Sequence, residues 1–170
     1  MEVYRDKIDR LISESSGEIV LNGSHDHAAI IVERMFSRAR ESVKILTRKF
    51  DPRIYCDAET VEAAQQMLGD NSRSIKILIE EIEATNPKGN PYFGELSQFG
   101  NLSIRVVPEV LREPISVNFT VMDDCGYRFE KDQSGSGATA IVAFGDVGLT
   151  ERLSTLFENV WEQSKEYEFA

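Results

Sequence analysis

Long apolar runs are missing from this chain of 170 residues, and so is one sign of charge in strength. No stretch of about 18 apolar residues exists, which argues against a membrane-spanning helix. The first residues, Met1-Glu2-Val3-Tyr4-Arg5-Asp6, are charged and do not lead into a hydrophobic signal region. A soluble, cytoplasmic protein without membrane attachment is the expectation. Basic residues number 19 against 29 acidic ones, for a formal charge of −10. Such a chain repels phosphate backbones at long range, so nucleic acid is not an expected partner without a strong local basic patch. The best patch, Arg48-Lys49-Phe50 with Arg53, is short. Cysteine is scarce too: Cys56 and Cys125 stand far apart, without a C-x-x-C pair or a histidine-rich neighbourhood. That excludes a disulfide framework and a zinc site of the usual spacing, and both residues are read as reduced, partly buried thiols. Histidine is equally rare, with His25 and His27 at a helix start. Alternate residues of a helix point about 200° apart, so the pair is not expected to share a metal. Neither metal nor cofactor is expected.

What is present is a regular alternation of helical and extended patterns, with 41% hydrophobic residues, enough for one globular domain over residues 1–170. Tyr4, Ile8, Leu11 and Ile12 recur at helical spacing, making residues 1–16 an N-terminal helical extension ahead of a core at 17–170. Glu18 to Leu21 is a short strand stopped by Asn22-Gly23. Ser24 caps a helix to about Glu41, with Ala28, Ile31, Val32, Met35, Phe36 and Ala39 on one stripe. Its Glu33, Arg34, Arg38 and Arg40 form a face expected to be solvated. A strand at 43–47 follows, then a helix capped by Asp57 to Gly69, and a strand at 74–80 in which Ile75, Ile77 and Ile79 alternate. Residues 81–90 read as a loop, 90–99 as a short helix opened by Pro91, 102–107 as a strand and 108–114 as a connection. Two strands meet at Asp123-Asp124-Cys125-Gly126, a turn sequence in which aspartates bond backbone amides and Gly126 accepts positive φ. Ser134-Gly135-Ser136-Gly137 is taken as a flexible hairpin tip before a strand at 138–144. A final amphipathic helix carries Leu149, Leu153, Leu156, Phe157, Val160 and Trp161 inward and an acidic outer face.

The element order over residues 24–161 resembles one half of the phospholipase D superfamily. This implies an α/β fold, a mixed sheet with helices on both faces, and one H-x-K-x4-D motif on a strand. Laid on Ser116-Val117-Asn118-Phe119-Thr120-Val121-Met122-Asp123, the motif puts Ser116 at the His position, Asn118 at the Lys position and Asp123 at the Asp position. The downstream Gly-Ser-x-Asn element is absent, with Arg128-Phe129-Glu130 near its place. The resemblance implies a His nucleophile and Lys and Asn groups that neutralise phosphoryl oxygens. Ser116 has no adjacent base and Asn118 no charge, so the motif is degenerate and no catalytic residue is expected.

The surviving residues form a polar face. Ser116, Asn118 and Thr120 alternate with apolar neighbours, and Arg128 and Glu130 do the same on the hairpin partner. One reading makes Arg128 and Glu130 a structural ion pair. Another makes these five residues a groove for a ligand or partner. Single-half members of the superfamily complete their cleft by homodimerisation, which implies a homodimer with this groove near the two-fold axis. Three functions follow: an inactive binding or assembly module, possible partners including other proteins; a phosphodiesterase or nuclease with a non-standard site that borrows His25 or His27; and a sensor that takes a small anionic ligand through Arg128.

Overall fold

Ser42–Thr47 (β2) and Ser74–Ile79 (β3) share one alternation, and they pair in parallel with Val43 beside Ile75, Ile45 beside Ile77 and Thr47 beside Ile79. Leu102–Val106 (β4) extends this parallel ladder on the far side of β3. The computed structural model describes residues 1–131 and 139–169. Antiparallel strands complete the sheet: Asn118–Met122 (β5) pairs with β2, Gly126–Glu130 (β6) with β5, Ala140–Phe144 (β7) with β6, and Val20–Asn22 (β1) with β7. A two-residue strand at Lys165–Glu166 (β8) covers the β4 edge, giving the order β1-β7-β6-β5-β2-β3-β4-β8. Covering that edge with the chain's own tail removes a row of unpaired backbone groups.

Each face of the sheet has its own apolar layer. Helices Glu2–Glu14 (α1), His25–Arg38 (α2) and Ala58–Leu68 (α4), with the single turn Pro52–Tyr55 (α3), cover the face that carries Val43, Ile45, Ile75 and Ile77. Helix Val147–Gln163 (α7) covers the other, packing Leu153, Phe157, Val160 and Trp161 on Leu46, Leu78, Phe119, Val121 and Tyr127. The mixed α/β sheet with helices on both faces is therefore what the chain forms. Helix starts sit where the polar caps predict: Ser24 accepts from the His27 amide, Asp57 from Glu59 and Asp146 from Leu149.

Several sequence expectations need correction. The stretch 90–99 is mostly turn, with one 3₁₀ turn at Glu95–Gln98, because Pro87, Gly89, Pro91 and Gly94 interrupt an α ladder. Conversely, the loop at 81–90 holds a helical turn at Ile82–Thr85 (α5), and 108–114 holds another at Glu109–Arg112 (α6). The strand near 18–21 is shifted to Val20–Asn22, and that near 138–144 begins at Ala140. The polar face of α2 is solvated only at its end, where Arg38 and the following Arg40 are exposed. Helix α1 lies over it, with Asp9 against Arg34 and Arg38 and Arg5 against Glu33, so Glu33 is buried. Ile8 and Leu11 of α1 enter the core beneath these ion pairs. The expected hairpin tip at Ser134–Gly137 lies outside the described residues.

Two residues of positive φ make the α1 to β1 connection possible. Ser15 ends α1 in the left-handed region at φ 49°, and Gly17 follows at φ 80°, its amide donating to the Phe144 carbonyl at 2.8 Å. Gly145, at φ 102°, lies so close that a Cβ there would meet the Ser15 carbonyl oxygen at 2.1 Å. Gly145→Ala combines backbone strain with that overlap, and the expected loss is about 3 kcal/mol of unfolding free energy, read from the urea midpoint of the variant.

Candidate functional site

The hairpin β5–β6 sets the positions of all the candidate residues. Register places Asn118 opposite Glu130 and Thr120 opposite Arg128. Directly opposed residues share a sheet face, so these four point into the layer under α2 and α3. Ser116 precedes β5, is exposed, and lines a separate cavity of about 240 Å³ with Arg48, Glu80, Glu81, Arg112 and Glu113. That cavity opens where β2 and β3 end, since Arg48 and Glu80 directly follow the two strands. Its wall carries three carboxylates and two guanidinium groups, and Arg48 is already paired with Glu81 at 2.7 Å.

Asn118 and Asp123 both serve backbone groups. The Asn118 Oδ1 accepts the Arg48 amide at 2.9 Å, tying β5 to the end of β2. Asp123 sits at φ 52° in the turn, and its carboxylate accepts the amides of Arg40, Glu41 and Ser42 at 2.9, 2.8 and 3.0 Å. Its own amide donates back to the Ser42 carbonyl at 2.9 Å. Asp123 thus clamps the α2–β2 corner to the hairpin, at the opposite end of β5 from Ser116. The strand separates Asn118 from Asp123 by five residues, roughly 16 Å at the rise of an extended chain. Ser116, Asn118 and Asp123 do not converge on one point.

Arg128 is the largest side chain out of solvent, at 1% exposure. Its Nε donates to the Asn22 Oδ1 at 2.9 Å, and its Nη1 meets the Glu130 Oε2 at 3.4 Å. Burial raises the Glu130 carboxyl above its usual range, against the opposing pull of Arg128 and of the more distant His25. The Tyr55 phenol, also buried, is raised by desolvation and feels both Arg128 and Glu130. It lies against the Thr120 hydroxyl. Thr120 Oγ1 is nevertheless buried without a hydrogen bond of normal geometry.

The rim of this cluster is formed by the starts of α2 and α3. His25 Nε2 lies 3.6 Å from Asp51 Oδ2, and both side chains are 26% exposed. Burial would raise Asp51, but side-chain and backbone hydrogen bonds from Arg53, the Arg53 charge and His25 outweigh it and hold the carboxyl low. His27 turns elsewhere and stacks on Tyr4 with ring centroids 3.8 Å apart. No group of three potential metal ligands occurs among the described residues. The thiols of Cys56 and Cys125 are unpaired and half-buried, and burial, with the Asp51 charge, pushes Cys56 to about 11. Such a thiol is a poor nucleophile.

Arg128 and Glu130 meet in space as the alternation of β6 implied, with Asn118 and Thr120 on the same face, while Ser116 and Asp123 stand apart. Asn22, Asp51 and Tyr55 belong to the cluster and were not singled out. Asn22 lies 106 residues from Arg128, and no local spacing links them. Only the Asn22-Gly23 strand stop marked its position.

With fold and site in place, the molecule falls in a class. The sheet, its two helical layers and the central hairpin are those of a phospholipase D-type half domain, as solved structures show. NucT from Helicobacter pylori matches with a TM-score of 0.66 and 13% identity, over 88% of this chain and 99% of that one. The phospholipase D family member Nuc from Salmonella typhimurium matches with 0.65 and 15%, over 89% and 99%. TrmBL2, an archaeal chromatin protein with a novel mode of DNA binding, matches with 0.65 and 12%, over 98% of this chain but only 60% of its own. At these identities the likeness is one of fold. By sequence, the chain belongs to the family described as Domain of unknown function (DUF7931), whose model matches residues 24–168. No curated protein matches it. No helix among the described residues is long and apolar enough to cross a membrane.

Two outcomes follow from this geometry. Asp123→Ala removes a carboxylate that answers three amides, and the expected cost is about 2 kcal/mol in urea denaturation. Glu130, with its folded carboxyl raised, contributes stability that is full below the ordinary glutamate range and declines as pH rises through the raised value. The stability of the wild type relative to Glu130→Gln is therefore expected to fall as pH rises from 4 and then to level off, checked by denaturation at each pH.

Proposed function

We propose that this chain is a catalytically inactive phospholipase D-fold domain that acts as a binding or assembly component, as a homodimer. One observation carries the inactivity: each residue at a motif position has a structural task or no chemistry. Asn118 holds the Arg48 amide, Asp123 holds three amides, and Ser116 lies exposed beside carboxylates with no histidine among the residues lining its cavity. Attack on phosphorus needs a nucleophile with a base in reach and a cation for the phosphoryl oxygens. The cavity at Ser116 supports the assembly role. It lies at the strand ends and carries charges of both signs, which suits a self-complementary contact between two copies.

The charge distribution favours a protein partner over nucleic acid. Arg48 and Arg53, the heart of the best basic patch, are paired with Glu81 and Asp51, so little positive charge is left to meet a phosphate backbone. DNA binding is named for TrmBL2 and stays with that protein.

A second reading, a phosphodiesterase with a non-standard site, draws on His25, which reaches the rim beside Glu130 and pairs with Asp51. His25 supplies a base, but the buried cluster offers it no exposed nucleophile.

The expected outcome is no hydrolysis of a generic phosphodiester such as bis-p-nitrophenyl phosphate above the buffer rate, with light scattering giving a dimer at micromolar concentration. Hydrolysis that disappears in Ser116→Ala or His25→Ala would overturn the inactive reading, and a monomer at that concentration would overturn the assembly reading.

A further inference from the structure

The two edges of the sheet are finished differently. The β4 edge is covered by β8 from the chain's own tail. At the other end of the sheet, β1 pairs with β7 on one side, and among the described residues no strand pairs with it on the other. Open edges are blunted by charge, proline, a bulge or shortness. Of charge, proline and shortness, β1 has only shortness: it spans three residues, and the run Ile19-Val20-Leu21-Asn22-Gly23 contains neither charge nor proline.

The edge is apolar as well as open. Register carries one row across the sheet from Leu21 to Ile141, Phe129 and Phe119. Directly opposed residues share a face, and Ile141, Phe129 and Phe119 belong to the apolar layer under α7. Along that row Phe119 is 1% exposed, Phe129 and Ile141 are half-buried, and Leu21 is 74% exposed. The layer therefore runs out past its covering helix to the end of the sheet. Ile19, one step back in the alternation, is 59% exposed. Val20 and Asn22 turn to the other face, where Val20 joins the core and Asn22 accepts from Arg128.

We propose that β1 is the contact between two copies of this chain, joined edge to edge and antiparallel about a two-fold axis at Val20, so that two sheets become one. Such a contact presupposes the assembly reading and places it at the sheet edge instead of the Ser116 cavity. In this register each Ile19 faces Leu21 of the partner subunit, and the four apolar side chains cover the end of the α7 layer that each copy leaves bare. An antiparallel edge is its own complement, because the two-fold offers the same donors and acceptors in both directions. The charge pattern selects a second copy as the occupant. A foreign strand of basic character would be met by acidic groups along the edge, and residues 19–23 have none. Two copies that each carry −10 meet with least repulsion where the surface is neutral.

The test uses the full chain. Ile19→Lys and Leu21→Lys change exposed side chains, so thermal unfolding of both variants is expected to match the wild type. Each lysine makes the chain less acidic, so weaker association cannot come from net repulsion. Light scattering and sedimentation over a micromolar concentration series are expected to show the dimer dissociation constant raised about hundredfold, because each substitution enters the contact twice. Register is checked by mixing Ile19→Cys with Leu21→Cys under oxidised glutathione. Directly opposed strand residues lie within disulfide reach and diagonal ones do not, so the mixture is expected to give a covalent dimer that neither variant gives alone. A dimer that keeps its affinity in both lysine variants, with no cross-link in the mixture, would overturn the edge contact and leave the assembly reading standing. Loss of that dimer in Arg112→Glu would then assign it to the Ser116 cavity. A wild type that stays monomeric through the same series overturns the assembly reading and the edge contact together.

Discussion

Taking a guanidinium out of water costs several kcal/mol unless charges and dipoles answer it, and Arg128 is taken out of water in the middle of a β-sheet. Much of the corner between β1, α2, α3 and the β5–β6 hairpin follows from that constraint. Asn22, the last residue of the three-residue edge strand β1, accepts from Nε. Glu130 stays on the same face two residues away, although burial raises its carboxyl. Tyr55 and Thr120 close the polar region against the apolar layer of α2 and α4. The α1 helix and its Ser15–Gly17 connection then cover the flank and deliver β1 to its place beside β7.

The same strand holds two kinds of polar residue with different work. At one end of β5, Asp123 uses both carboxylate oxygens on three amides and so joins the helical layer to the sheet. At the other, Asn118 holds the Arg48 amide and Ser116 lies exposed beside the carboxylates of its cavity. A fold and the chemistry it can carry rest on different terms. The strand needs its apolar alternation and its turn clamp, and both are present. Phosphoryl transfer needs specific groups within about 3 Å of a reacting atom, and single substitutions end it.

Most of the fold was legible from periodicity alone, because an amphipathic element records in its own residues which side is buried. The long helices α2, α4 and α7 and the strands β2, β3 and β4 carry that record in full. The one-turn helices α3, α5 and α6 do not, since four residues give no period to read. The tail strand Lys165–Glu166 is equally silent, being exposed and polar, and pairs only because the β4 edge lies beside it. The polar face of α2 was misleading for a related reason. Charge on a helix face signals water unless an oppositely charged helix arrives to cover it, and Asp9 and Arg5 come from an element whose docking no local pattern announces.

By itself, the sequence determined the alternation of helix and strand, the hairpin at Asp123 to Gly126, and the placing of Arg128 and Glu130 on one strand face. These are properties of neighbours along the chain, where covalent geometry fixes distance. Only the tertiary structure decided that Arg128 is buried, that Asn22 and Tyr55 attend it, that His25 reaches Asp51, and that Ser116 lines an open cavity while Thr120 is buried. Those pairings join residues up to 106 positions apart, and their distances are set by how layers pack.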